Sequence, residues 1–397
     1  MSHNPPTIDD LRRSSTAEAL PTQKDSESTK VRNRFEAIAN MNRVFAIRPG
    51  ERVAFLTDPR LDRRVVDAVA GIARANGASF REFMWHSTRI TEIPEVARPL
   101  LEESDFVVSS WFASAGCKFA NKMRKEKGQR WIKITFFRDL DLLDTPQARF
   151  PVDLVGEIIR ATARMYPRKQ NFDMRFTDPR GSDLTIKWTP EMTDNMLAIT
   201  RWKGINKGDT PGCYVHYLPT HGPNIYGSSA HGRVPDAHAD MEGIIYPQMA
   251  VGFADPFDDK NKIGVEFKND KIVKIHGKSR EADHMREYLI GGTLLELGCG
   301  FNPKAPRFQV YPAGPNSPGG LHFGCNAKKE SQYLRRVIPN WEEPHIHMDF
   351  VTFDSTVTLG NTTLIDNGFL MALRDEEVVK AAEVYGDPIE LLESFVE

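Results

Sequence analysis

Cysteine is scarce in this 397-residue sequence: four residues, Cys117, Cys213, Cys299 and Cys325, stand far apart with no Cys-x-x-Cys pair. That spacing excludes a disulfide framework and a structural zinc knuckle, and it implies buried free thiols. Long hydrophobic runs are missing too. No stretch approaches the ~20 consecutive apolar residues of a membrane-crossing helix, and the first residues lack the basic-then-apolar order of an export signal. A cytoplasmic protein is expected. Neither sign of charge prevails: 52 Lys and Arg stand against 54 Asp and Glu, a net of −2, so no overall field favours nucleic acid or an anionic membrane. No Gly-x-Gly-x-x-Gly follows the first candidate strand, where Thr57-Asp-Pro-Arg60 stands instead, and there is no P-loop. No serine or cysteine occupies a Gly-x-Ser-x-Gly elbow, so covalent catalysis has no support. The absence of internal repeats excludes a solenoid.

What remains is globular material. With 40% hydrophobic and 27% charged residues the chain can bury real cores and stay soluble, and at ~150 residues per domain its length suits two or three domains. Residues 1–30 are rich in Ser, Thr, Pro and mixed charge without an apolar period. They read as a flexible N-terminal arm, whose functional alternative is to dock on a partner subunit or cover a site. Residues 31–175 read as an α/β domain. Arg52–Thr57 is a short apolar run, Val65, Val66, Val69, Ile72 and Ala73 recur at helical spacing, and Asn76-Gly77 supplies a C-cap. The runs Phe106–Ser109 and Trp131–Thr135 repeat the strand pattern, which predicts a small parallel sheet. Residues 176–397 read as a β-rich (α+β) metal-binding catalytic domain. Val265–Phe267 and Ile272–Ile275 flank a turn at Asn269-Asp270, His345–Phe353 alternates, and Thr362–Ile365 runs into Asn367-Gly368, a two-residue hairpin signal. Val378, Val379, Ala382 and Leu391–Phe395 suggest closing helices.

Nine of the 11 histidines lie beyond residue 200, so the imidazoles concentrate in the β-rich half. In Pro344-His-Ile-His-Met-Asp-Phe350 the strand period of two puts His345, His347 and Asp349 on one face, where two of them can grip one ion. The bland reading is a polar edge with Ile346, Met348 and Phe350 in the core. His322 sits in Gly320-Leu-His-Phe-Gly324, and Glu296 and Glu242 each enter an otherwise apolar run, where a carboxylate needs a cation or strong donor. Glu242, Glu296, His322, His347 and Asp349 together form the donor mix that borderline divalent ions accept. The histidines of residues 216–238, His231 among them, lie in a Gly/Pro-rich stretch suited to a pocket mouth, or simply to solvent.

In sequence order, a Glu-bearing strand, then Glu296-Leu-Gly-Cys-Gly-Phe-Asn-Pro303, then the Gly-x-His segment and the His347-x-Asp349-Phe motif resemble the aminopeptidase T and S metallopeptidases. The resemblance covers residues 175–370 or so by motif, and Arg48–Asp58 is similar to that family's opening strand. It implies that Glu242, Glu296, His322, His347 and Asp349 are metal ligands. It further implies one or two zinc, manganese or cobalt ions per chain, a homodimer, and water attack on an amide or related C–N bond of a peptide or small molecule, with Glu242 and Glu296 sharing ligand and proton-carrier roles. One departure stands out: where the peptidases carry a tyrosine about seven residues past the His322 position, this chain has Lys329, with Tyr333 nearby. Either could stabilise a tetrahedral oxyanion. The same fold serves 2,5-dihydroxypyridine 5,6-dioxygenase, a ring-opening Fe(II) enzyme with a two-His, one-carboxylate set. There the His-x-Asp motif corresponds to His347 and Asp349, and the other histidine takes the Glu296 slot. Here His322, His347 and Asp349 could form such a set, with His345 as outer support and Trp341, Phe323 or Tyr246 as ring contacts. The leading expectation is the hydrolase.

Overall fold

A computed structural model of the chain describes residues 27–86, 92–111, 117–134, 137–204, 206–217, 221–227, 240–250, 257–305, 317–326 and 347–393. The N-terminal part is an α/β layer. Strands β1 (Arg52–Thr57), β2 (Ser79–Met84), β3 (Phe106–Ser109) and β4 (Arg130–Lys133) run parallel in the order β2-β1-β3-β4. β3 and β4 are buried at every residue, as a sheet covered on both faces requires. Alternation along β1 sends Val53 and Phe55 to one core and Ala54 and Leu56 to another on the opposite face.

The helix Arg63–Ala75 begins where the Asp62 carboxylate accepts the Arg64 N–H, and ends at Asn76 followed by Gly77 with φ 72°. Its apolar stripe Val65, Val66, Val69, Ile72 and Ala73 is fully buried against Val53 and Phe55. Each large side chain so buried is worth about 1.5–3 kcal/mol.

Two strands next in the chain, β5 (Phe172–Thr177) and β6 (Asp183–Trp188), belong to a second sheet, after which β7 (Tyr214–His216) returns to pair in parallel with β4. The division between sheets is therefore not a single cut along the chain.

The second sheet is antiparallel. Its further strands are β8 (His221–Gly227), β9 (Glu242–Ile245), β10 (Met249–Ala250), β11 (Gly264–Lys268), β12 (Lys271–His276), β13 (Thr293–Gly300), β14 (Leu321–Asn326), β15 (His347–Thr352), β16 (Thr356–Leu359), β17 (Thr362–Asp366) and β18 (Phe369–Leu370). Their order is β10-β15-β14-β13-β12-β11-β9-β6-β5-β16-β17-β18, with β8 also on β13. The β11–β12 turn places Asn269 and Asp270 at φ 49° and 64°, and the turn before β18 places Asn367 and Gly368 at 44° and 78°. Paired positive φ values of this kind match the right-handed strand twist of a tight hairpin, which is why Asn, Asp and Gly stand there. The helix Glu376–Ala382 closes the core through Val378 and Ala382. No helix among the described residues is long and apolar enough to cross a membrane.

Candidate metal centre

The register of β13, β14 and β15 gathers the chemistry into rows. Glu296 opposes Gly324, which in turn opposes Asp349; Gly298 opposes His322, which opposes Val351; Asn326 opposes His347. Opposed residues, and residues two apart, share a sheet face. Glu296, His322, Asp349 and the backbone position of His347 thus belong to one face around Gly324, which adds no side chain between them. The other face carries Leu297, Phe323, Cys325 and Phe350, all in the hydrophobic core. With strands ~4.8 Å apart and ~3.4 Å of rise per residue, the Cα atoms of Glu296 and Asp349 lie about 10 Å apart across Gly324, and that of His322 about 7 Å along β14 from it.

Glycine recurs on this face for a steric reason. A Cβ at Gly298 would fall 1.8 Å from Cε1 and 2.0 Å from Nε2 of His322, so the buried imidazole lies against the β13 backbone where only glycine can face it. Glu296 is half-buried and accepts a 2.5 Å hydrogen bond from Asn224 Nδ2. Asn224 stands in β8, which adds to β13 through the pairs Glu296–Gly227 and Gly298–Asn224. No thiolate is on offer: burial, and then the Asp349 carboxylate, push the Cys325 thiol upward.

Two cations, Lys133 and Arg201, act electrostatically on Glu296. Lys133 ends β4, is 7% exposed, and opposes His216 at the end of β7. Burial and the nearby Arg201 guanidinium push its ammonium down to about 8, against the pull of the Glu296 carboxylate. Arg201, in the short turn Thr200–Lys203, donates to the Gly222 carbonyl at 3.2 Å, two residues before Asn224 in β8. Burial lowers its pKa, while Tyr214 and Glu296 act to raise it. Tyr214 meets the His216 ring edge-on at 5.1 Å and carries the Arg124 guanidinium 4.8 Å over its own ring. The Lys133 and Arg201 charges are thus within electrostatic reach of Glu296.

Of the residues singled out in the sequence, Glu296, His322 and Asp349 share this face. Glu242 is exposed on β9, opposite Thr185, with β11 and β12 between β9 and β13 in the sheet order. Tyr246 holds the Lys262 ammonium 4.2 Å over its ring, and Phe323 packs edge-on against Phe176 at 4.9 Å on the core side. His231, Lys329, Tyr333, Trp341 and His345 lie outside the described residues, as does the side chain of His347. Among the described residues no group of three or more His, Cys, Asp or Glu side chains is close enough to hold an ion in common. The donors around Gly324, imidazole nitrogen and carboxylate oxygen, fit a borderline divalent ion by their chemistry. Sequence reading missed Asn224, Lys133 and Arg201. For Lys133 there was a signal, a lysine inside the apolar run Trp131-Ile-Lys-Ile134.

No family model matches the chain, and no curated sequence matches it. Among solved structures it is similar to 2,5-dihydroxypyridine dioxygenase from Pseudomonas putida KT2440, at 17% identity and a TM-score of 0.56, over 87% of this chain and 98% of that one. It also aligns with wild-type AmpT from Thermus thermophilus at 14% identity and a TM-score of 0.46, over 85% of this chain and 99% of that one. At such identity the first likeness is one of fold, and it spans both sheets.

Proposed function

We propose that the protein is a single-metal, ring-opening dioxygenase of a hydroxylated N-heteroaromatic such as 2,5-dihydroxypyridine, with Fe(II) held by His322, His347 and Asp349 and with Glu296 as proton carrier. The observation that carries this reading is the register around Gly324: two histidine positions and an aspartate meet on one face, while Glu242, which a two-metal site would need, is exposed on a strand removed from it. Two imidazoles and one carboxylate are the donor set of non-haem iron oxygenases. Iron bound there would supply the one-electron chemistry by which dioxygen cleaves an electron-rich ring.

The rest of the work falls to the chain itself. Glu296 takes the proton from the ring hydroxyl, and the Asn224 hydrogen bond fixes its direction. Gly298 leaves the space that His322 occupies. The fold likeness to a dioxygenase is consistent with this chemistry and adds no residue roles.

One observation favours a hydrolase as the second reading. Glu296 and Asp349 flank the same glycine, and a carboxylate so placed can take a proton from a water attacking an amide. Oxygen uptake by iron-loaded protein given 2,5-dihydroxypyridine separates the two. The oxygenase reading expects uptake that His347→Ala abolishes and Glu242→Ala leaves within about two-fold. Amide cleavage by zinc- or manganese-loaded protein, lost in Glu242→Ala, would overturn it.

A further inference from the structure

The pairing of β8 with β13 carries the polar face one strand further. Asn224 opposes Gly298, which opposes His322, and Gly227 opposes Glu296, which opposes Gly324. Opposed residues share a sheet face, so Asn224 and His322 stand on either side of a glycine, as Glu296 and Asp349 do in the neighbouring row. The His322 ring lies against Gly298, with Nε2 2.0 Å from where a Cβ would stand, and the Asn224 amide reaches Glu296, its Nδ2 donating to Oε2 at 2.5 Å. Asn224, Glu296 and His322 therefore share the face around Gly298.

One atom of this group is left over. The Asn224 carbonyl oxygen, Oδ1, is buried from solvent and accepts no hydrogen bond among the described residues. Such an oxygen can accept two, and a buried acceptor without a donor is both costly and rare in folded proteins. Which end of the amide is vacant follows from its neighbour: an ionised carboxylate only accepts, so Glu296 holds the Nδ2 end and leaves the oxygen for a ligand.

We propose that Asn224 reads the ring N–H of the substrate. In its lactam form 2,5-dihydroxypyridine carries one hydroxyl and, elsewhere on the ring, an N–H. With the hydroxyl at Glu296, the N–H donates to Asn224 Oδ1, so the side chain that directs the base also fixes the orientation of the ring. A carbocyclic ring puts a C–H there and leaves the acceptor vacant, and this contact sets the preference for N-heteroaromatic rings. The inference rests on the oxygenase reading for the identity of the ring; the vacant acceptor does not depend on it.

The test is calorimetric titration of iron-loaded protein without oxygen, so that no turnover follows binding, using 2,5-dihydroxypyridine and hydroquinone, which has the same ring size and para oxygens but no ring N–H. The wild type is expected to bind the pyridine about ten-fold more tightly. Asn224→Leu should bring the two rings within about two-fold of each other by weakening the pyridine alone, with iron content unchanged. Asn224→Asp, which keeps an acceptor oxygen, should retain the preference. A residue that served only to orient Glu296 would move both rings alike, since both offer it a hydroxyl. Equal binding of the two rings by the wild type, binding of neither, a preference that survives Asn224→Leu, or its loss in Asn224→Asp would overturn the inference. Oxygen uptake by the same protein separates this failure from that of the oxygenase reading: preference for the pyridine without uptake overturns the oxygenase and leaves the Asn224 contact standing, and uptake with equal binding does the reverse.

Discussion

Replacing Lys133 by methionine should make the protein more stable at neutral pH. Buried at the end of β4, the Lys133 ammonium is pushed from its ordinary 10.5 down to about 8 by burial and by Arg201, with Glu296 opposing the shift. A drop of that size, at about 1.4 kcal/mol per unit, means that holding the charge in the fold costs up to about 3 kcal/mol. The direction with pH follows from proton counts. Below pH 8 both the folded and the unfolded chain keep the proton, so the full cost is present. Between about 8 and 10.5 the folded chain gives up the proton while the unfolded chain holds it, and stability rises. Methionine keeps much of the apolar stem and has no charge to bury. Urea unfolding of wild type and Lys133→Met should therefore differ by about 2–3 kcal/mol in favour of the variant at pH 7, and by little above pH 10.5. A variant less stable than wild type at pH 7 would refute the reasoning, because it would mean that the Lys133–Glu296 attraction outweighs the burial cost.

Other consequences can be checked independently. Gly298→Ala would drive a Cβ to 2.0 Å from His322 Nε2; it should cost about 1–3 kcal/mol by overpacking and reduce bound metal to well below half of the wild-type content, read by elemental analysis. Asn224→Ala removes the donor to Glu296, which should lower turnover by about ten-fold, equivalent to about 1.4 kcal/mol, as the carboxylate loses the N–H that orients it. Unchanged turnover would count against Glu296 as proton carrier. Asp58, 2% exposed, accepts from Arg138 at 2.5 Å, Ser110 at 3.0 Å and the Arg60 N–H at 3.0 Å. Burial opposes its ionisation, yet these donors hold its carboxyl below the ordinary range. Its contribution is then present above the usual carboxylate pKa and lost as pH falls through the lowered one. Asp58→Ala should cost about 3–5 kcal/mol at pH 7 and progressively less in acid, measured by denaturation at several pH values.

Much of the fold was legible because its signals are local. Arg52–Thr57 and Phe106–Ser109 read as strands from short apolar runs, and they are β1 and β3 with those bounds. Asn269-Asp270 and Asn367-Gly368 read as turns because few residues tolerate the φ values found there. The return of β7 to the first sheet was not legible: three residues carry no period, and their partner β4 lies some eighty positions earlier. The same contrast holds at the site. A period of two puts His347 and Asp349 on one face from sequence alone. That Glu296 and Asp349 should face each other across Gly324 depends on the register of three strands separated by long connections, which no local pattern encodes. Asn224 meets Glu296, and Lys133 and Arg201 come within electrostatic reach of it, only through the three-dimensional arrangement of β8, β4 and a short turn. Glu242 has the residue type and sequence order of a ligand; it is exposed on β9, with β11 and β12 between that strand and β13 in the sheet order.

The most direct test of the central claim is the metal content of protein purified without oxygen, measured per chain alongside oxygen consumption. The account predicts close to one iron per chain, lost in His322→Ala and in Asp349→Ala and retained in Glu242→Ala, with oxygen taken up when a hydroxylated pyridine is added. Two zinc or manganese ions per chain, one of them lost in Glu242→Ala, together with amide hydrolysis that proceeds without oxygen, would contradict it.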